Sequence, residues 1–194
     1  MTFSPRMEYN LKQGFRYLNR FMVLMWRLGL GQFINIWPEG AGRVMVITTT
    51  GRKSGLKRQT PVNYAVQDGE IYCMAGFGPN SDWYRNLRSN PKVEIWMPDS
   101  WWAGQVEEVT DPTQRLPLIR KIVINSGFAG RLFAINPHRI SDTALEKVTA
   151  PYVLLHVRRL EARTGRGGPG ELAWVWPAAT FMLLMMLYSR RKKR

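Results

Sequence analysis

At 194 residues, with 45% hydrophobic and 12% aromatic side chains, the chain has enough apolar material for one compact domain with extensions, which excludes a globally disordered protein. Its formal net charge of +14 calls for an anionic partner: nucleic acid, an acidic membrane surface or a phosphorylated cofactor, three classes that charge alone does not separate. One cysteine, Cys73, excludes an internal disulfide, and with only His138 and His156 beside it no Cys/His zinc site of the usual kind is available.

The N-terminal stretch lacks the continuous apolar core and small-residue cleavage site of a signal peptide, so a cytoplasmic domain is expected. Residues 8–30 read as a helix. Leu11, Phe15, Leu18, Met22 and Met25 recur at 4-3-4-3 spacing, with Lys12, Arg16, Arg20 and Arg27 elsewhere on its surface. Such a basic amphipathic helix can lie in a membrane interface or pack on its own domain. Residues 1–40 form this helix and its connector.

From residue 41 to 162 the periodicity shortens. "RVMVITT", "RQTPVNYAVQ", "EIYCMAG", "KVEIWM", "WWAGQVEEV" and "YVLLHVRRLEA" are β-branched or aromatic segments divided by turn signals. Asp68-Gly69 predicts a type I′ hairpin, because that turn needs positive φ at both central residues. Pro98-Asp99-Ser100 predicts another hairpin. Six mostly antiparallel strands with intervening helices predict an α+β fold built on a small barrel rather than an alternating parallel sheet. The interrupting helices are "SDWYRNLRSNP", capped by Ser81 or Asp82, and "DPTQRLPLIRKIVINSG", capped by Asp111 with Pro112 in the first turn and Gly127 as its stop. Residues 128–149 read as loop and short helix. Cys73 reads as a core strand residue, and His156 as a strand residue rather than a general acid.

Residues 163–171, "RTGRGGPGE", read as a glycine-rich linker, and 172–194 as a separate module. Leu172 to Ser189 is eighteen residues without a formal charge, bracketed by Trp174, Trp176 and Tyr188 and closed by "RRKKR". The expectation is a hydrophobic helix, with a possible transmembrane span over 172–188, an interfacial position or docking on an integral membrane complex as the alternatives. Terminal charge on the far side of a span would oppose the positive-inside tendency.

The stretch "TTTGRKSGLKRQTP" joins two predicted strands. Gly51 and Gly55 let the backbone turn sharply and approach a ligand, and Arg52, Lys53, Lys57 and Arg58 supply charge-assisted donors. It is no Walker A loop, whose lysine directly follows the second glycine and opens a helix. Composition leaves phosphate binding and a solvated basic hairpin both open.

With its neighbours the stretch is more specific. "ITTTGRKSGLKRQTPVNYAVQDGEIYCMAGFG" followed by "DWYRNLRSNPKVEIWM" resembles the deazaflavin-dependent nitroreductase family, split β-barrel oxidoreductases related to flavin-binding barrels. The likeness covers roughly residues 8–110, with the last strand near 152–160. It implies coenzyme F420, whose phosphate and oligoglutamate tail are anionic, with FMN or no cofactor as alternatives. Carried over by position, Arg52, Lys53, Ser54 and Arg58, helped by Lys57, would hold the phosphate or acidic tail. Pro61, Asn63 and Tyr64 would sit beside the deazaflavin ring, and Ala75, Gly76 and Phe77 along its polar edge. Trp83, Tyr84 and Asn86 match the helix closing that side, with packing of Trp83, Tyr84 and Leu87 on the barrel as the alternative. No catalytic side chain is assigned, which suits hydride chemistry that the cofactor carries. Family enzymes acting on nitro compounds and quinones place tyrosines on the C-terminal helical region, whereas "GFAGRLFAINPHRI" offers Phe128 and Phe133.

The resulting expectation is a membrane-associated oxidoreductase on the cytoplasmic side of the cell membrane, transferring hydride from reduced F420 to a quinone-like or other planar acceptor. The alternative is a non-catalytic split-barrel subunit of a membrane protein complex. A nucleic-acid-binding barrel with stacking tryptophans is disfavoured, because the glycine and hydroxyl spacing of the loop suits a compact anion.

Overall fold

In a computed structural model of the protein, which describes residues 5–36, 42–127, 136 and 138–191, six strands close into a barrel. They are β1 (Val44–Thr50), β2 (Lys57–Gln67), β3 (Glu70–Ala75), β4 (Lys92–Trp96), β5 (Trp101–Glu108) and β6 (Val153–Ala162). The order around the barrel is β1-β2-β3-β6-β5-β4, and each pairing is antiparallel. The flanking helices are α1 (Pro5–Arg27), α2 (Gly31–Ile34), α3 (Asp82–Ser89), α4 (Pro112–Ile124), α5 (Asp142–Thr149) and α6 (Val175–Arg191). This is the α+β barrel that the strand pattern predicts.

Local chemistry explains the elements. Asp68 and Gly69 both adopt positive φ, 53° and 81°, as a type I′ turn requires. Met97 N donates to Ser100 O at 2.8 Å to close the β4–β5 hairpin. Asp111 Oδ1 accepts from Thr113 N at 2.9 Å and caps α4, and the hydrogen bonds from Thr113 hold its carboxyl below the usual range.

The two-residue period of the strands sorts side chains between two sides. Met45, Ile47, Val62, Ile71, Cys73, Val93, Ile95, Leu155 and Val157 fill the interior. Burial pushes the Cys73 thiol up to about 12, so it is an inert core residue, as expected. On the outer wall, Ala65 and Leu154 support Leu118, Ile119, Ile122 and Val123 of α4, and Val46 and Trp96 support Trp26 of α1.

The barrel wall parts at one place. β2 pairs with β1 from Lys57 to Asn63, but with β3 only from Tyr64 to Gln67, while Met74 and Ala75 of β3 pair with β6 instead. Tyr64 N donates to Arg43 O, so by the period of two the backbone nitrogen of Pro61 faces the parting, where a missing N–H leaves no ladder bond unmade. The proline of "RQTP" therefore marks the edge where the wall opens.

Gly78 stands beside this opening at φ +57°, and a Cβ there would overlap the Pro151 carbonyl oxygen. Gly78→Ala is expected to lower unfolding stability by roughly 2–5 kcal/mol, read by urea denaturation.

The C-terminal segment is tied to α1. Gly170 N donates to Trp26 O at 2.9 Å, Leu172 N to Arg27 O at 2.8 Å and Trp176 Nε1 to Leu28 O at 2.9 Å, and Glu171 pairs with Arg27. Beyond these contacts α6 projects its apolar side chains into solvent, with Phe181, Leu184 and Met186 each 60% or more exposed. The expected transmembrane helix over 172–188 is not met. The helix has 17 residues and begins at Val175, and no described helix is long and apolar enough to cross a membrane.

Candidate functional site

Two cavities open where β2 and β3 part. The first, about 360 Å³, has Phe15 of α1, Pro61 and Asn63 of β2, Met74, Gly76, Phe77, Trp83, Val123, Ser126 and Tyr152 in its walls. The second, about 840 Å³, is bounded by the 51–60 stretch on one side and by Arg16, Asn19, Arg20, Val23, Leu24 and Arg27 of α1 on the other. Arg16, Asn19, Thr60, Asp82 and Trp83 belong to both, so they form one cleft with an apolar chamber and a basic groove. The ring of Phe15 meets that of Phe77 edge-on at 5.8 Å, closing α1 over the chamber.

Among the described residues the groove is lined by seven cationic side chains and a single carboxylate, Asp82. Its loop is shaped by Gly51 N donating to Leu56 O at 2.9 Å and Gly55 N to Gly51 O at 2.7 Å, with Gly55 at φ +67°. A Cβ at Gly51 would come within 2.8 Å of Ser54 Oγ and 3.2 Å of Leu56 O, so a side chain there would have to displace the serine hydroxyl.

The seven cations divide into two sets. Arg52 is committed to α3: its Nη2 meets Asp82 Oδ1 at 3.0 Å, and its backbone N and Nη1 donate to Asn86 Oδ1 at 3.2 and 3.1 Å. Lys57 Nζ pairs at 2.8 Å with Glu94, a nearly buried carboxylate that Arg163 also holds, and Arg27 pairs with Glu171. Arg16, Arg20, Lys53 and Arg58 have no carboxylate partner among the described residues. Four unpaired cations converging on one groove repel one another, and a bound anion relieves that repulsion.

Of the side chains the sequence singles out, Arg52, Lys53, Ser54, Lys57, Arg58 and Asn86 border the groove, Pro61, Asn63, Gly76 and Phe77 the chamber, and Trp83 both. Tyr64 and Ala75 lie in the barrel interior instead, and burial raises the Tyr64 phenol. Tyr84 turns to the other side of α3, where its hydroxyl donates to Glu108 Oε1 at 2.5 Å. Asn86 is 5% exposed and fastens the loop to α3 and to Thr49. Phe128 and Phe133 lie outside the described residues. His156 stacks on Tyr72 at 5.0 Å between Glu70 and Glu107 and borders neither cavity.

Sequence reasoning missed two contributors. Arg16, Arg20 and Arg27 share one stripe of α1 at i, i+4 and i+11 and face the groove rather than a membrane surface. The spacing was readable; the partner of that stripe was not. The second is Tyr152, just before β6, which brings a phenol to the chamber; burial raises its pKa, so it stays protonated at neutral pH. Ser81, 8% exposed and in the chamber wall, has a buried hydroxyl without a hydrogen-bond partner among the described residues.

The profile of a family described as F420H(2)-dependent quinone reductase matches residues 19–127. A protein of Mycobacterium tuberculosis named as an F420H(2)-dependent quinone reductase is 42% identical over 60 residues, which cover 29% of this chain and 40% of that protein. Among solved structures, a conserved hypothetical protein of Mycobacterium tuberculosis aligns at a TM-score of 0.46 with 20% identity, over 62% of this chain and 75% of that one. An F420-H2 dependent reductase aligns at 0.40 with 20% identity, over 60% of this chain and 94% of that one.

Proposed function

The chain belongs to the F420H(2)-dependent quinone reductase family, and we propose that it binds reduced F420 in the cleft and passes hydride to a quinone or similar planar acceptor. The observation that carries this reading is the joining of an apolar chamber to a groove lined, among the described residues, by seven cations and one acid. The donor set fits the cofactor: a planar ring matches walls of Pro61, Phe77 and Trp83, and phosphate and carboxylates match the groove. At Gly76 a Cβ would meet nothing within 4 Å, which leaves the backbone open to close approach. Lys53 and Arg58 would hold the phosphate, and Arg52 would hold the loop that presents them.

Bound F420H2 supplies the hydride. The protein's part is to align the ring and the acceptor, exclude water, and deliver a proton to the acceptor oxygen. Tyr152 is placed for that delivery, because it borders the chamber and carries a phenolic O–H. Tyr152→Phe is expected to lower turnover on the order of 10²-fold with little change in the Kd for F420, checked by stopped-flow reduction of a naphthoquinone beside equilibrium titration.

The reaction is assigned to the membrane surface, where quinones reside. Supporting this are the exposed apolar side chains of α6, followed in the sequence by the basic run "RRKKR", and the exposed Tyr17 and Phe21 of α1. Anaerobic titration with F420 and with FMN tests the proposal. Saturable binding of F420 and turnover of F420H2 with a naphthoquinone are expected. Binding of neither cofactor would overturn it in favour of a non-catalytic subunit.

A further inference from the structure

We propose that α1 forms the selectivity wall of the basic groove, with Arg16 and Arg20 gripping the carboxylates of the cofactor's glutamyl tail; this rests on the F420 reading above. Arg16 and Arg20 stand one turn apart on the side of α1 that faces the 51–58 loop. Arg16 borders both the chamber and the groove, whereas Arg20 borders the groove alone, so the two follow in order away from the ring site.

Their pairing state separates them from the third arginine of the stripe. Arg27 is neutralised by Glu171, while Arg16 and Arg20 have no carboxylate among the described residues. On the opposite wall Lys53 and Arg58 also have no carboxylate partner among the described residues. A lone phosphate held by the loop satisfies that wall and leaves the α1 wall without an anion. A ligand that carries further anions beyond its phosphate satisfies both, so the groove favours tailed F420 over FMN or tailless F420.

The wall is fixed in place. Trp26 is 1% exposed against Val46 and Trp96, and the C-terminal end of α1 receives hydrogen bonds from Gly170, Leu172 and Trp176. Anchored residues at that end let the arginines meet an anion with little ordering cost to the backbone.

The test compares Kd values, from deazaflavin fluorescence, for F420 carrying several glutamates and for F420 with the glutamates removed. Wild type is expected to prefer the tailed form by roughly ten- to a hundredfold. In an Arg16→Gln/Arg20→Gln double variant the preference falls to about twofold while the tailless Kd stays near wild type. Because neither arginine has a carboxylate partner among the described residues, the variant is expected to keep the wild-type unfolding midpoint. Persistence of the preference in the variant, or equal binding of both forms by wild type, overturns the inference while sparing the F420 reading. Failure of wild type to bind either form overturns both. Loss of binding to phosphatidylglycerol vesicles with the tail preference intact also overturns it, assigning the arginines to lipid headgroups.

Discussion

Replacing Lys53 and Arg58 together with alanine is expected to weaken F420 binding by about two orders of magnitude while leaving the urea unfolding midpoint unchanged. A charge-assisted hydrogen bond contributes roughly 1.5–3 kcal/mol, and two would approach four orders of magnitude if nothing screened them. Both side chains are solvent-exposed, so solvent screening discounts that sum. Stability should hold because neither pairs with a carboxylate among the described residues, and their loss also relieves repulsion in the groove. Arg52→Ala is the informative contrast. Its guanidinium serves Asp82 and Asn86, so its removal loosens the loop from α3, lowering the midpoint and weakening F420 only indirectly. Titration and denaturation on the same three proteins separate the roles. A double variant that binds F420 like wild type would remove the loop from the cofactor site.

The barrel was legible in the sequence because each signal there is local. Asp68-Gly69 encodes a hairpin through φ preference, and alternation in "EIYCMA" encodes which side chains point inward. Local reading carried less of the cleft, because a cleft is made by elements far apart in sequence. Tyr64 and Tyr84 look like ligand residues from their motif neighbours, yet the period of two turns Tyr64 inward, and Tyr84 hydrogen-bonds Glu108 on the far side of α3. Arg52 reads as a phosphate ligand on charge, but charge alone does not disclose that Asp82 and Asn86, 30 and 34 residues on, occupy it. Likewise the arginine stripe of α1 is visible as i and i+4 spacing, but only packing on the barrel decides that it looks into the groove. For the C-terminal segment, eighteen uncharged residues suggested a span; helix formation begins only at Val175, because Leu172 and Ala173 are engaged with Arg27 and Gly170 in turns.

Under the proposed reading that the reaction runs at a membrane surface, the shorter helix would set how the protein meets the bilayer. At 1.5 Å per residue, 17 residues extend about 26 Å, short of the roughly 30 Å of hydrocarbon. Its start is held to Leu28 by Trp176, and Phe181 to Tyr188 are exposed on all sides. A helix lying in the interface buries one side of that surface. Large apolar side chains contribute roughly 1.5–3 kcal/mol each when fully buried, so even partial burial of three or four outweighs the ordering of the helix. Basic residues near an anionic surface add about 1 kcal/mol apiece. Leu183→Glu/Met186→Glu places two carboxylates one turn apart on that helix, at positions 58% and 63% exposed. It is expected to reduce flotation with phosphatidylglycerol vesicles by at least about a hundredfold while F420 affinity and the unfolding midpoint stay at wild-type values. Alkaline carbonate should release the wild-type protein from those vesicles, as it does a helix held only in the interface. Retention after carbonate would mean the segment crosses the bilayer, and flotation unaffected by the two glutamates would mean that α6 is not the membrane contact.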